Sequence, residues 1–149
     1  MLAVREDPDD ADMVYAGTER GVYVSRDGGN TFAPLKLNFP AASVTDIEIR
    51  HGDLVLGTRG RGIWVLEGIA TVREADADAR AQALHLFSIP AALRFRNENR
   101  WSEEGKIGDP AIGAMISYWQ KTEDKSEDGE LRMEIRDAAG TLVRTLSSK

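Results

Sequence analysis

The sequence contains no cysteine, which excludes disulfides, thiolate metal sites and thiol nucleophiles, while leaving the compartment open. It has only two histidines, His51 and His85, far apart in the chain, so a histidine-based metal cluster would need carboxylates to complete it. A basic surplus is also missing: 25 acidic against 19 basic residues leave a net charge of -6. That balance argues against nucleic acid and anionic membranes as partners. No apolar run approaches the roughly 20 residues of a membrane-crossing helix. The N-terminus "MLAVREDPDDAD" turns acidic too early for a signal peptide.

What is present is short and punctuated. The 149 residues make one ordinary domain or two small ones. Brief apolar runs alternate with Gly, Pro and Asp, which favours strands over helices and an all-β fold.

The first half repeats itself. "MVYAGT", the break "ERG" and "VYVS" are matched later by "LVLGT", "RGRG" and "IWVLEG". Val14-Tyr15-Ala16-Gly17-Thr18 aligns with Leu54-Val55-Leu56-Gly57-Thr58, and Gly21-Val22-Tyr23-Val24 with Gly62-Ile63-Trp64-Val65. The spacing is about 40 residues, the period of a four-stranded propeller blade. Strands are predicted at about 2–5, 13–17, 21–25 and 31–36, then at 44–50, 53–57, 62–66 and 69–74. Two blades cannot close a ring, so residues 1–74 are expected to belong to a longer propeller, with its remaining blades as partners.

The turn "SRDGGNTF" connects the third and fourth strands of the first unit. Asp27 can accept main-chain N–H groups, Gly28 and Gly29 can take positive φ, Thr31 can bond across the turn, and Phe32 is expected to plug the sheet. The pattern Ser25, Asp27, Gly29, Thr31, Phe32 resembles the Asp-box, or BNR repeat, of sialidase-like, xyloglucanase-like and sortilin-type propellers. In those families the box is structural and lies away from the ligand face. The second unit has no such box.

The resemblance implies an extracytoplasmic protein, secreted or periplasmic. It also places the ligand face at the loops between second and third strands and between blades, which puts Glu19, Arg20, Asn38, Phe39, Arg59 and Arg61 there. The guanidinium groups of Arg59 and Arg61, on a tight glycine turn, suit a carboxylate, sulfate or phosphate, and suit equally an ion pair or an aromatic ring of a neighbouring blade. Those glycines form no nucleotide cradle, because a strand follows where a helix should begin. The acidic run Asp7, Asp9, Asp10, Asp12 lacks a calcium loop's closing Glu and is expected to be a solvated turn. No metal or other cofactor is expected.

Residues 75–109 are expected to be a linker with extended segments: "READADAR" suits a linker or one short helical turn, and Trp101 is expected to dock on a neighbouring surface. In residues 110–149, Leu131, Met133 and Ile135 alternate with Arg132, Glu134 and Arg136, the pattern of a half-buried strand. This part resembles the opening strands of an immunoglobulin-like or FlgD-like module, a partial β-sandwich.

No catalytic constellation can be assembled. A glycoside hydrolase needs two carboxyls about 5–9.5 Å apart across the scissile bond, and the expected ligand face offers only Glu19. The leading expectation is a non-catalytic binding or scaffold module for a peptide, glycan or protein. The alternative is a fragment of a sialidase- or xyloglucanase-like hydrolase whose carboxylates lie elsewhere. Self-association through exposed blade edges is a third.

Overall fold

The computed structural model describes residues 1–36, 38–92, 113–121 and 130–148. Trp101 lies outside them. The fold is all-β: among the described residues eleven strands form four antiparallel sheets, with two short helices.

The first sheet contains β1 (Ala3–Glu6), β2 (Val14–Thr18), β3 (Gly21–Ser25) and β4 (Ala33–Pro34) in chain order. The second contains β5 (Ser43–Arg50), β6 (Asp53–Arg59) and β7 (Ile63–Leu66), again in chain order. Their pairing is the same at aligned positions. In the first sheet Tyr15 faces Val24, Ala16 faces Tyr23 and Gly17 faces Val22. In the second, Val55 faces Val65, Leu56 faces Trp64 and Gly57 faces Ile63. Each second-to-third strand turn is closed the same way. The Thr18 hydroxyl donates to the Gly21 carbonyl at 3.0 Å, and the Thr58 hydroxyl to the Gly62 carbonyl at 2.6 Å.

The two sheets bury one face each against the other. Tyr15, Val22 and Val24 meet Val44, Ile47, Leu54 and Leu56, and Met13 and Ile69 complete the core. Contact is closest at Gly17, where an added Cβ would lie 2.7 Å from the Val44 carbonyl oxygen. A side chain there would force the sheets apart. Arg5 ties β1 to β5, donating through Nε to the Ile47 carbonyl at 2.9 Å and pairing with Glu48 at 2.8 Å.

The outer edges differ. In the first sheet β4 pairs with β3, Pro34 opposite Tyr23 and Ala33 opposite Val24. Leu35 N–H bonds to the Val22 carbonyl at 3.0 Å, so Val22 and Val24 present their main-chain groups to β4 while Tyr23 turns away. Pro34 therefore sits where no ladder N–H is required. In the second sheet the expected strand at 69–74 is instead helix α1 (Ala70–Glu74), leaving three strands where four were expected. Its β-branched residues favour a strand locally, but Gly68 adopts φ 68° and Ile69, fully buried, bonds to the Gly52 carbonyl at 2.8 Å. Tertiary anchoring overrides propensity here.

Helix α2 (Ala77–Ala81) follows, its N-cap Asp76 accepting Ala79 N–H at 2.8 Å, so that "READADAR", open to a linker or one helical turn, spans the end of α1 and most of α2. Beyond it, β8 (Leu84–Leu86) pairs with β9 (Tyr118–Gln120), and β10 (Arg132–Arg136) with β11 (Leu142–Ser147). Met133 and Ile135 are half-buried, as their alternation predicts, whereas every residue of β11 is exposed.

Candidate functional site

The turn from Ser25 to Phe32 closes on itself. Ser25, fully buried, donates its hydroxyl to Asp27 Oδ1 at 2.7 Å and accepts Gly29 N–H at 2.8 Å. Thr31 donates its N–H to Asp27 Oδ1 at 2.8 Å and its hydroxyl to Oδ2 at 2.6 Å. Gly28 and Gly29 take the positive φ values the turn requires, 66° and 92°. The donations from Ser25 and Thr31 hold the Asp27 carboxyl down at about 2. Phe32 departs from expectation: it is 36% exposed, on the rim of an open groove facing α2, and is no plug. Its ring lies over the turn itself, 4.0 Å from where a Cβ on Gly29 would stand, and not in the core.

The expected ligand-face residues fall into connected groups. Arg20 and Phe39 line one open groove of about 350 Å³, together with Tyr23, Pro34, Lys36 and Pro40. Asn38 and Phe39 also border a cavity of about 40 Å³ against Trp64. The Phe39 and Trp64 rings meet edge to face at 5.3 Å. Trp64 Nε1 donates to the Arg61 carbonyl at 3.0 Å, which joins this aromatic pair to the glycine turn. Glu19, Arg59 and Arg61 stand exposed in their turns. Among the described residues the guanidinium groups of Arg20, Arg59 and Arg61 have no carboxylate partner and no ring stacked against them. Asp46 is exposed, and its Oδ1 accepts the N–H of Ile47 at 3.0 Å.

The acidic run is not simply solvated. The Asp7 side chain is completely buried, and Arg73 of α1 grips it with Nε on Oδ2 at 2.9 Å and Nη2 on Oδ1 at 2.8 Å. Tyr15 OH donates to Oδ2 at 3.2 Å and Asp9 N–H to Oδ1 at 2.9 Å. Burial alone pushes the Asp7 carboxyl up; the Arg73 and Asp9 donations, with the guanidinium charge, outweigh it and leave the carboxyl below its usual range. Burial and the neighbouring carboxylate push the Tyr15 phenol well up. Arg26, inside the same turn as Asp27, donates to the Val72 carbonyl and, at 2.9 Å, to the Arg73 carbonyl, placing a cation on the last turn of α1. The joining of Asp7, Tyr15, Arg26 and Arg73 escaped sequence reasoning, which read Asp7 only as part of a solvated turn. The available signals were an arginine ending the apolar run "IATVR" and an acidic run that no metal loop explains.

Among the described residues no three His, Asp or Glu groups gather into a metal-holding cluster, and no helix is long and apolar enough to cross a membrane. No family model, curated protein or solved structure matches the chain.

Proposed function

We propose that residues 1–74 are two adjacent blades of a secreted or periplasmic Asp-box propeller, acting as a non-catalytic binding module whose ligand face carries Arg20, Asn38, Phe39, Arg59 and Arg61. One observation carries this reading: the face that the second sheet leaves open corresponds, position by position, to the face the first sheet buries. Tyr15, Gly17, Val22 and Val24 pack against the second sheet, and their counterparts are Val55, Gly57, Ile63 and Val65. Of these, Ile63 is 75% and Val65 54% exposed. A repeated unit that packs the same way each time supports a further blade on that face. In the same manner Leu2 and Val4 leave the first sheet's far side apolar and open.

Exposed guanidinium groups without carboxylate partners, on turns next to the elements that carry Phe39 and Trp64, favour an anionic ligand over a neutral one. The test is to titrate the full chain with sialyllactose and with a sulfated oligosaccharide while following backbone amide shifts. The expected result is saturable shifts at Arg20, Phe39 and residues 58–62 with no hydrolysis of chromogenic glycosides. Shifts confined to the Asp-box side, or measurable turnover, would overturn the reading.

A further inference from the structure

The clearest unassigned feature is the outer edge of β7. Thr58 N–H bonds to the Gly62 carbonyl at 3.1 Å, so Gly62 turns its main chain toward β6, and Ile63, one residue on, turns its own away. Val65 faces the same way as Ile63. Among the described residues no hydrogen bond reaches the outward N–H and C=O of these two positions, and β7 ends its sheet. In the first sheet the equivalent groups of Val22 and Val24 are covered by β4, which runs antiparallel. The chain thus shows, in its own first sheet, the kind of segment that fits against the third strand.

We infer that the open edge of β7 is a strand-addition site for an extended peptide that carries a carboxylate at its C-terminal end. Antiparallel addition puts the peptide's C-terminus at the Ile63 end of β7. Arg61 lies two residues before Ile63, and Arg59 closes the adjacent β6; both guanidinium groups lack a carboxylate partner among the described residues. Main-chain bonds to Ile63 and Val65 supply affinity that does not depend on sequence, and the two arginines select the charged terminus. The exposed Ile63 and Val65 side chains give apolar residues of the peptide a flank to pack on. A parallel peptide would present its N-terminal amine to the arginines, and like charges there disfavour it. The site shares Arg59 and Arg61 with the ligand face proposed above, but its signature is in the β7 backbone.

The probe is an acetylated hexapeptide of alternating threonine and valine that closes in aspartate with a free carboxyl terminus, added to the full chain. Amide hydrogen exchange is read residue by residue. Ile63 and Val65 amides should become protected, while Trp64 and Leu66, whose main chain faces β6, should not change. The double variant Arg59→Gln, Arg61→Gln should bind about tenfold more weakly, a loss of about 1.4 kcal/mol, and so should a C-terminally amidated peptide closing in asparagine. N-methylation of the peptide's alternate amides should abolish binding to the unaltered protein. Absence of binding, binding without protection of Ile63 and Val65, or equal affinity for the amidated peptide would each overturn the inference. Because sialyllactose and the sulfated oligosaccharide cannot add a strand, their shifts at residues 58–62 report on the ligand-face reading separately.

Discussion

The two sheets of residues 1–74 share one internal pairing and differ at their rims. In the first, the third strand is followed by a turn that hydrogen-bonds to itself and by a short fourth strand. In the second, the chain leaves β7 at Glu67 and becomes a helix whose Arg73 reaches back to Asp7, 66 residues earlier. The first rim's turn closes through its own side chains, whereas the second rim is held by partners in the first half of the chain, Asp7 and Arg26. A repeat can therefore keep its β-ladder constant while each copy solves its outer edge with whatever partners its surroundings supply.

The largest effect should come from breaking the long-range solution. Arg73→Met leaves the Asp7 carboxylate buried with only Tyr15 and the Asp9 N–H as donors. Removing one partner of a buried pair costs about 3 kcal/mol. Urea unfolding at neutral pH should show a lower midpoint with little change in slope. If the midpoint shifts by less than about 0.5 kcal/mol in equivalent terms, α1 does not hold the second rim in solution.

Glycine pairs sharpen the comparison further. Gly17 and Gly57 are aligned, yet they face different neighbours. A Cβ at Gly17 meets the Val44 carbonyl oxygen at 2.7 Å and its Cγ1 at 2.9 Å, across the interface between sheets. At Gly57 the nearest atom is the Cβ of Asp46 at 3.1 Å, within the same sheet, on the side that Ile63 leaves open. Gly17→Ala should cost about 2 kcal/mol, because two packed backbones must separate, and Gly57→Ala well under half of that. Equal costs, read from urea midpoints, would mean that the second sheet's open face is covered as tightly as the first's.

The β-ladders were legible because alternation, the Gly-Thr ends of strands and the 40-residue period are all local or repeated signals. That the Leu56–Trp64 and Ala16–Tyr23 pairs correspond agrees with the alignment of "VYAGT" with "LVLGT" and of "GVYV" with "GIWV". The turn at Ser25–Thr31 was legible for the same reason, since its donors and acceptors lie within seven residues. Helix α1 was not. Ile69, Thr71 and Val72 carry strand propensity, and what bends them into a helix is Asp7 and Arg26, tens of residues away. The exposure of Phe32 was hidden too, because hydrophobicity states a preference for burial without showing whether a cavity exists to receive the ring. On the candidate ligand face, the residue types were readable, but the meeting of Phe39 with Trp64 was not, because it joins the connection between the sheets to a strand that comes later in the chain.

Acid sensitivity gives the smallest effect and separates the two rims by their charge state. Asp27 has its carboxyl held at about 2 by Ser25 and Thr31, against 3.8 for a free aspartate. A folded value below the unfolded one means that the stabilisation is complete above about pH 4 and lost as the pH falls toward 2. The Asp7 carboxyl is also lowered, so protonating it as the pH falls below about 4 removes stability in the same direction. Asp27→Asn should thus flatten, without abolishing, the decline in urea midpoint between pH 4 and pH 2, because the Asp7 contribution persists. An unchanged decline would show that the carboxylate does not close the turn. A decline abolished altogether would show that Asp7 is not gripped by Arg73, and the contrast between a locally closed rim and a remotely tethered one would fail with it.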